Sequence, residues 1–124
     1  ILRYLVALSR KIYYNVNITI KKDGKEQQLM EEGLQLAKQT PGSLIVDVRN
    51  PDEYSKGHIP SSMNIPINTI TGIEKIITDK NTPLFLYCLS GSRSKRACTF
   101  LEKIGYTNVT NMGGISDYNG PTEK

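Results

Sequence analysis

Residues 84–94 read Leu84-Phe85-Leu86-Tyr87-Cys88-Leu89-Ser90-Gly91-Ser92-Arg93-Ser94. A short apolar run ends on a cysteine, a loop of small residues follows, and a helical pattern begins after the loop. In a strand–loop–helix unit of this kind, free backbone N–H groups of the loop and of the first helical turn converge on one point, which attracts an anion. A thiol held there has its pKa lowered from ~8.5 to roughly 3.5–7.5. The stretch therefore predicts that Cys88 is a nucleophile in an anion-binding loop.

The residues around Cys88 decide between a reactive cysteine and a packed one. A lone cysteine is usually a small hydrophobic residue of the core. The polar residues after Cys88 do not look like core, Gly91 permits an unusual backbone turn, and Arg93 adds a permanent positive charge. These neighbours favour the functional interpretation. The other cysteine, Cys98, lies on the apolar side of the next predicted helix. This position favours core packing over a role as a resolving thiol.

Composition limits the classes of function. The 124 residues suit one domain with a real core, and the net charge of +4 is spread over several segments among acidic residues. We therefore expect no nucleic-acid binding, only a slight attraction for anionic substrates. No apolar run approaches the ~20 residues that span a bilayer, so we expect no membrane association for the given chain.

Cysteine usage bears on the cellular compartment. Two cysteines, one of them in a reactive-looking loop, do not make a disulfide framework. A reducing compartment suits a working thiol, so we expect a cytoplasmic protein. Because the chain does not begin with Met, an upstream signal or anchor stays open, as does its origin as a fragment of a larger protein.

Strand and helix patterns alternate on both sides of the loop. The predicted strands are residues 16–20, 44–48, 63–65, 83–87 and 108–112. The predicted helices are residues 27–39, a short one that starts at 50, one near 68–77, and one that follows the cysteine loop and stops at Gly105. This order predicts an α/β fold with a central, mainly parallel sheet of about five strands and helices on both faces.

In such sheets the working site lies beyond the carboxyl ends of the strands. Cys88 ends one predicted strand, and Asp47 and Arg49 lie at the end of another. The topology therefore supports Cys88 as a site residue independently of the loop.

The first residues of the chain stand apart from this alternation. Residues 1–15 are apolar and basic, and they could form a short amphipathic helix that packs on the domain or on a partner. We treat 1–15 as an N-terminal extension whose role stays open, and 16–124 as the domain.

Several short segments follow one another along the chain in an order that is typical of one protein family. They are Asp47-Val48-Arg49 with Glu53-Tyr54, Gly57-His58-Ile59-Pro60 with Asn64-Ile65-Pro66, the cysteine loop Tyr87 to Ser94, Gly105-Tyr106 with Asn108-Val109, and Gly113-Gly114-Ile115. In this order the chain resembles a single-domain rhodanese, a sulfurtransferase homology domain. The departures are mild: Ser61-Ser62 stands where Gly-Ala is usual, Tyr118 where Trp is common, and Leu89 replaces a basic residue that many members carry. The last of these leaves the donor preference open.

The resemblance implies a rhodanese-like three-layer sandwich and a sulfurtransferase of the thiosulfate sulfurtransferase class. A sulfane sulfur from thiosulfate or a persulfide would pass through a persulfide on Cys88 to cyanide, a thiol or a protein thiol such as thioredoxin. No metal or organic cofactor is implied. The physiological donor, the acceptor and the oligomeric state stay open, and we expect a monomer or a weak dimer.

The resemblance also implies roles for individual residues. Cys88 would be catalytic, and Arg93 would bind the donor anion and hold the loop. His58 and Asp47 would support the site, His58 by hydrogen bonding to backbone, while Arg49 would support it or touch substrate. The substrate-binding loop would consist of Leu89, Ser90, Gly91, Ser92 and Arg93.

Two alternatives differ in kind. Phosphatases and arsenate reductases related to rhodanese carry five residues between Cys and Arg, whereas four separate Cys88 from Arg93. The smaller ring suits one sulfur atom better than a phosphate or an arsenate. A non-catalytic or regulatory interaction module is the other alternative, although rhodanese-like domains in that role often lack the cysteine.

Overall fold

The computed structural model describes residues 26–124, and the predicted strand 16–20 and the extension 1–15 lie outside them. The helices are α1 (Glu26–Gln39), α2 (Pro51–Ser55) and α3 (Ser92–Lys103), and 3-10 helices span Ile67–Lys75 and Ile115–Asp117. The strands are β1 (Leu44–Asp47), β2 (Met63–Asn64), β3 (Leu84–Cys88) and β4 (Val109–Gly114). They form one sheet in the order β2-β1-β3-β4, and every neighbouring pair is parallel. The predicted α/β fold with a parallel sheet is confirmed; four of its strands lie in the described residues.

Strand β3 is buried on both faces, as its continuous apolar sequence predicts. Leu84, Leu86 and Cys88 point into the core that α3 covers. Phe85 and Tyr87 point into a second core, on the opposite face, with residues of α1. The two-residue period of a strand thus assigns the cysteine to the α3 side of the sheet.

Helix α1 packs closely on β4. An ideal Cβ built on Gly33 would lie 2.6 Å from Cγ of Met112, so the glycine allows the helix to approach the strand. Its cost to helix propensity, ~1 kcal/mol relative to Ala, is offset by this contact.

The segment near 68–77 differs from the expected α-helix. It is a 3-10 helix over Ile67–Lys75, with Ile70 and Ile73 buried and Ile67 packed against the same core. Side chains three residues apart line up in a 3-10 helix, which suits this isoleucine spacing. Its β-branched residues and Gly72 also disfavour an α-helix. Across residues 26–124, no helix is long and apolar enough to cross a membrane.

Candidate active site

Cys88 is the last residue of β3, and the loop to α3 wraps around its sulfur. Gly91 ends the loop in a left-handed conformation, with φ of 102°, that side chains rarely adopt. Its N–H donates to Cys88 Sγ at 3.0 Å. The backbone N–H of Ser94 donates at 3.4 Å, and the Ser94 hydroxyl lies 3.5 Å from the sulfur.

These donors favour the thiolate. Burial raises the pKa of the Cys88 thiol, but hydrogen bonds from the side chain and backbone of Ser94 and from the backbone of Gly91 and Ser90 lower it by more. The resulting pKa lies below that of an ordinary cysteine. The local geometry therefore favours the thiolate form of Cys88, which is the form of a cysteine that reacts as a nucleophile.

The loop rests on the glycine pair at the end of β4. A Cβ on Gly114 would lie 2.2 Å from the carbonyl oxygen of Leu89 and 2.6 Å from Cα of Ser90. The N–H of Ser116 donates to the same Leu89 carbonyl at 3.1 Å. Only a residue without a side chain lets the strand support the loop at this distance.

A buried polar contact below the loop joins α3 to β4. The Ser94 hydroxyl lies 2.7 Å from Oδ1 of Asn111, which also accepts the N–H of Gly113 at 3.0 Å. Nδ2 of Asn111 donates to the carbonyl of Gly91 at 3.2 Å. Asn111 therefore contacts the loop, the helix and the strand end at once.

Arg93 is held by a carboxylate from another helix. Its Nη1 and Nη2 donate to the two carboxylate oxygens of Glu53 at 2.8 and 3.1 Å. Oε1 of Glu53 also accepts the N–H of Asn50 at 3.0 Å, as a capping box of α2. Mainly through the bond to Arg93, and against the effect of burial, the pKa of Glu53 falls to about 2.

This ion pair predicts an acid-dependent part of the stability. Since the pKa of Glu53 is lower in the folded protein than its ordinary 4.5, the pair stabilises the fold above that value and is lost as the pH falls toward about 2. We expect Glu53→Gln to remove this part of the acid dependence of the melting temperature, measured between pH 6 and 2. Asp52→Asn, which changes the same charge at an exposed neighbour, is the control. Identical acid profiles for the wild type and Glu53→Gln would contradict the assignment.

Asp47 and Arg49 form a buried pair at the end of β1. Nε of Arg49 lies 3.0 Å from both oxygens of Asp47, and Nη2 lies 2.7 Å from Oδ2. Nη2 also donates to the carbonyl of Gly57 at 2.8 Å. The pair joins the strand end to the segment that follows α2.

His58 lies in a structural environment. Its ring stacks on that of Tyr54, with centroids 3.7 Å apart, and its Nδ1 lies 2.8 Å from the Tyr54 carbonyl. The backbone of His58 exchanges two hydrogen bonds of 2.8 Å with Glu123. Both contacts fix the segment after α2 rather than reach the sulfur.

The residues that form this site and its scaffold also match a known protein family. The sequence profile of the rhodanese-like domain matches residues 27–120. The chain belongs to the rhodanese-like domain family. In the residues that the structure describes, no group of three or more His, Cys, Asp or Glu side chains could hold a metal ion.

Named relatives of this rhodanese-like domain differ in size. It is 36% identical over 80 residues to thiosulfate sulfurtransferase PspE of Escherichia coli, covering 64% of this chain and 77% of that protein. It is 37% identical over 82 residues to a tRNA uridine(34) hydroxylase of Buchnera aphidicola, covering 61% of this chain and 26% of that protein. The solved structure "rhodanese with anions from E. coli" aligns with a TM-score of 0.61 and 35% identity, over 66% of this chain and 98% of that one.

The predicted site residues of this rhodanese-like domain form two groups. In the first group, the backbone N–H groups of Ser90 and Gly91 donate hydrogen bonds to the sulfur of Cys88. In the second group, Asp47, Arg49 and His58 form polar contacts that hold neighbouring segments. Arg93 forms an ion pair with Glu53, which gives a structural basis for its predicted role in holding the loop. Its binding of a donor anion stays a prediction.

Sequence reasoning missed Ser94, Asn111 and the contact of Glu53 with Arg93. Ser94 lies one residue beyond the predicted binding loop. The sequence marks Glu53 as part of a family segment, with no indication of its contact with Arg93. Nothing local marks Asn111, which reaches the loop because of an irregularity in β4: Leu86 pairs with Asn111 but Tyr87 pairs with Gly113.

Proposed function

We propose that this rhodanese-like domain is a sulfurtransferase that moves a sulfane sulfur from thiosulfate or a persulfide donor to a thiophilic acceptor through a persulfide on Cys88. The set of hydrogen-bond donors around the sulfur carries the proposal: the N–H groups of Gly91 and Ser94 lie 3.0 and 3.4 Å from Sγ. They favour the thiolate, which is the form that attacks sulfur. The relative named thiosulfate sulfurtransferase supports the same class of reaction.

In the first half-reaction the Cys88 thiolate attacks the outer sulfur of the donor. A new S–S bond forms, and the bond between that sulfur and the rest of the donor breaks. The electron pair of that bond leaves with sulfite or with a thiolate, and the outer sulfur keeps, in the Cys88 persulfide, the negative charge that it carried in the donor. Backbone N–H groups of the loop are suited to bind that charge.

In the second half-reaction the acceptor attacks the outer sulfur. Cyanide, a small thiol or a protein thiol such as thioredoxin would serve as the acceptor. The bond to Sγ breaks and its electron pair returns to Cys88 as the thiolate, which the same donors stabilise. The cycle is ping-pong, and the chemistry needs no metal or organic cofactor because the intermediate is covalent.

The buried position of the Cys88 sulfur limits which donors can reach it. Cys88 is fully buried, whereas Leu89 and Ser90 of the loop are exposed. We therefore expect the loop to move outward when a donor reaches Sγ, and small donors and reagents to react faster than bulky ones. The ring that closes on Cys88 has four residues before Arg93, which favours one sulfur over the larger anions of phosphatases and arsenate reductases.

The test is intact-mass spectrometry of the reduced protein after mixing with thiosulfate, followed by the same reaction with glutathione persulfide. We expect the gain of one sulfur, with sulfite released from thiosulfate, and no gain for Cys88→Ser. Added cyanide should remove the sulfur and produce thiocyanate.

Each other outcome has a meaning. A gain from glutathione persulfide alone would keep sulfur transfer and exclude thiosulfate as the donor. No gain from either donor, with Cys88 still alkylated by iodoacetamide, would contradict sulfur transfer. No gain and no alkylation would leave the non-catalytic interaction module as the better explanation.

A further inference from the structure

The Ser94 hydroxyl has one proton and more acceptors than it can serve. Its Oγ lies 2.7 Å from Oδ1 of Asn111, 3.1 Å from the carbonyl of Gly91, and 3.5 Å from both Cys88 Sγ and the carbonyl of Gly113. Ser94 is fully buried, so water does not compete for the proton. A hydroxyl donates one hydrogen bond at a time, and its direction is therefore a choice between these partners.

Oδ1 of Asn111 and Sγ of Cys88 each accept a hydrogen bond from another donor besides the Ser94 hydroxyl. Oδ1 of Asn111 keeps the N–H of Gly113 at 3.0 Å when the hydroxyl turns away. Cys88 Sγ keeps the N–H groups of Gly91 and Ser94. A turn of the hydroxyl thus leaves no buried acceptor without a donor, which removes the usual cost of breaking a buried hydrogen bond.

The charge on sulfur changes which acceptor is better. A thiolate accepts a strong, charge-assisted hydrogen bond, whereas a thiol or a persulfide bears no charge on Sγ. In the uncharged states the amide oxygen of Asn111, at 2.7 Å, is the better partner. A thiol could then donate its own proton weakly to Oγ.

We propose that the Ser94 hydroxyl alternates between Cys88 Sγ and Asn111 Oδ1 with the charge on the sulfur, and that Ser94 and Asn111 are a pair of positioning residues that together set how easily Cys88 forms and leaves as a thiolate. Ser94 supplies the proton, and Asn111 holds it when the sulfur is uncharged. Asn111 therefore opposes Ser94: it lowers the free-energy gain that Ser94 gives to the thiolate.

The other ionisable groups near the sulfur keep their partners when Ser94 or Asn111 is replaced. Arg93 interacts with the charge of Cys88 but is paired with Glu53, and Asp47 of β1 is bonded to Arg49. Burial, with small effects of Glu102 and Cys88, raises the pKa of Cys98 to about 12, so this thiol stays neutral near pH 7. Substitutions at Ser94 and Asn111 leave all these groups in place.

The experiment is the pH dependence of iodoacetamide labelling at Cys88, resolved from Cys98 by peptide mapping. For Ser94→Ala we expect the labelling midpoint to rise by about one pH unit, a tenfold loss of thiolate in the acid range. For Asn111→Ala we expect a shift in the opposite direction, because the hydroxyl then has no competing acceptor of that strength. In the Ser94→Ala background, Asn111→Ala should produce no further shift.

Asn111→Asp gives a second variant of nearly the same shape. A carboxylate is a stronger acceptor than an amide and should hold the Ser94 proton, so the midpoint should rise, and by more with Ser94 present than with Ser94→Ala. An unchanged midpoint for Ser94→Ala would overturn the proposal. A rise for Asn111→Ala that is equal with and without Ser94 would also overturn it, since Asn111 would then act only through the shape of the loop.

One consequence rests on the proposed sulfur transfer. Cys88 is the leaving group in the second half-reaction, and a thiol of higher pKa leaves more slowly. We expect Ser94→Ala to slow the release of sulfur from a preformed persulfide to cyanide more than it slows persulfide formation per thiolate. The labelling experiment needs no sulfur transfer, so failure of the alternating hydrogen bond and failure of the proposed function would be seen separately.

Discussion

Gly114→Ala is expected to reduce persulfide formation by ~100-fold while the protein stays folded. The new Cβ would lie 2.2 Å from the carbonyl oxygen of Leu89 and 2.6 Å from Cα of Ser90, both backbone atoms, so the loop itself must move. A displacement of about 1 Å at a reacting centre costs a factor of this size. The Gly91 and Ser90 donors would move with the loop, and the labelling midpoint of Cys88 should rise.

Gly33→Ala is the matched control for Gly114→Ala. Its Cβ would also meet a close neighbour, Met112, but on the α1 side of the sheet and away from the loop. We expect a lower melting temperature for Gly33→Ala with a labelling midpoint like that of the wild type. A normal rate and a normal midpoint for Gly114→Ala would mean that the loop does not need its support from β4.

Arg49→Ala is expected to lower the free energy of unfolding by ~3–5 kcal/mol, measured by urea denaturation. Arg49 is 5% exposed and Asp47 is fully buried, so the substitution leaves a carboxylate without its cation inside the protein. Removing one partner of such a pair costs far more than the pair itself contributes.

The Arg93–Glu53 pair provides the comparison. Its side chains are 25% and 27% exposed, and the charge left behind by Arg93→Ala can be solvated. We expect Arg93→Ala to cost ~1 kcal/mol or less in unfolding free energy. Equal losses of unfolding free energy for the two variants would show that the deeper burial of the Arg49–Asp47 pair does not make its loss more costly. Wild-type stability for Arg49→Ala, with weaker donor binding, would instead support the alternative that Arg49 touches substrate.

The sequence predicts the parts of the site that depend on neighbours along the chain. The apolar run before Cys88, the small residues of its loop and the helical pattern after it are all local signals, and they place the thiol at a helix start. The alternation of β3 side chains between two cores follows from the same run. Within residues 26–124, the local patterns misjudged the type of helix over Ile67–Lys75 and the end of the last strand, which continues to Gly114 instead of stopping at 112.

The missed contacts join residues that are distant in sequence. Ser94 and Asn111 are 17 residues apart, and Glu53 and Arg93 are 40 apart. Asn111 reaches Ser94 because the register of β4 shifts by one residue beside β3, and neither strand marks that shift in its own sequence. Such pairs depend on how elements pack, which hydrophobic patterns alone do not specify.

The order of strands in the sheet has a consequence for synthesis of the chain. Strand β3 pairs with β1 before it and with β4 after it, and each parallel pairing must close a long stretch of chain. The support under the cysteine loop, Gly113 and Gly114, is made after both strands and the helix that surround the thiol. A nascent chain that stops before β4 therefore lacks the close contact of Gly114 with Leu89 and Ser90, and the cysteine loop gains this support only after translation has passed residue 114.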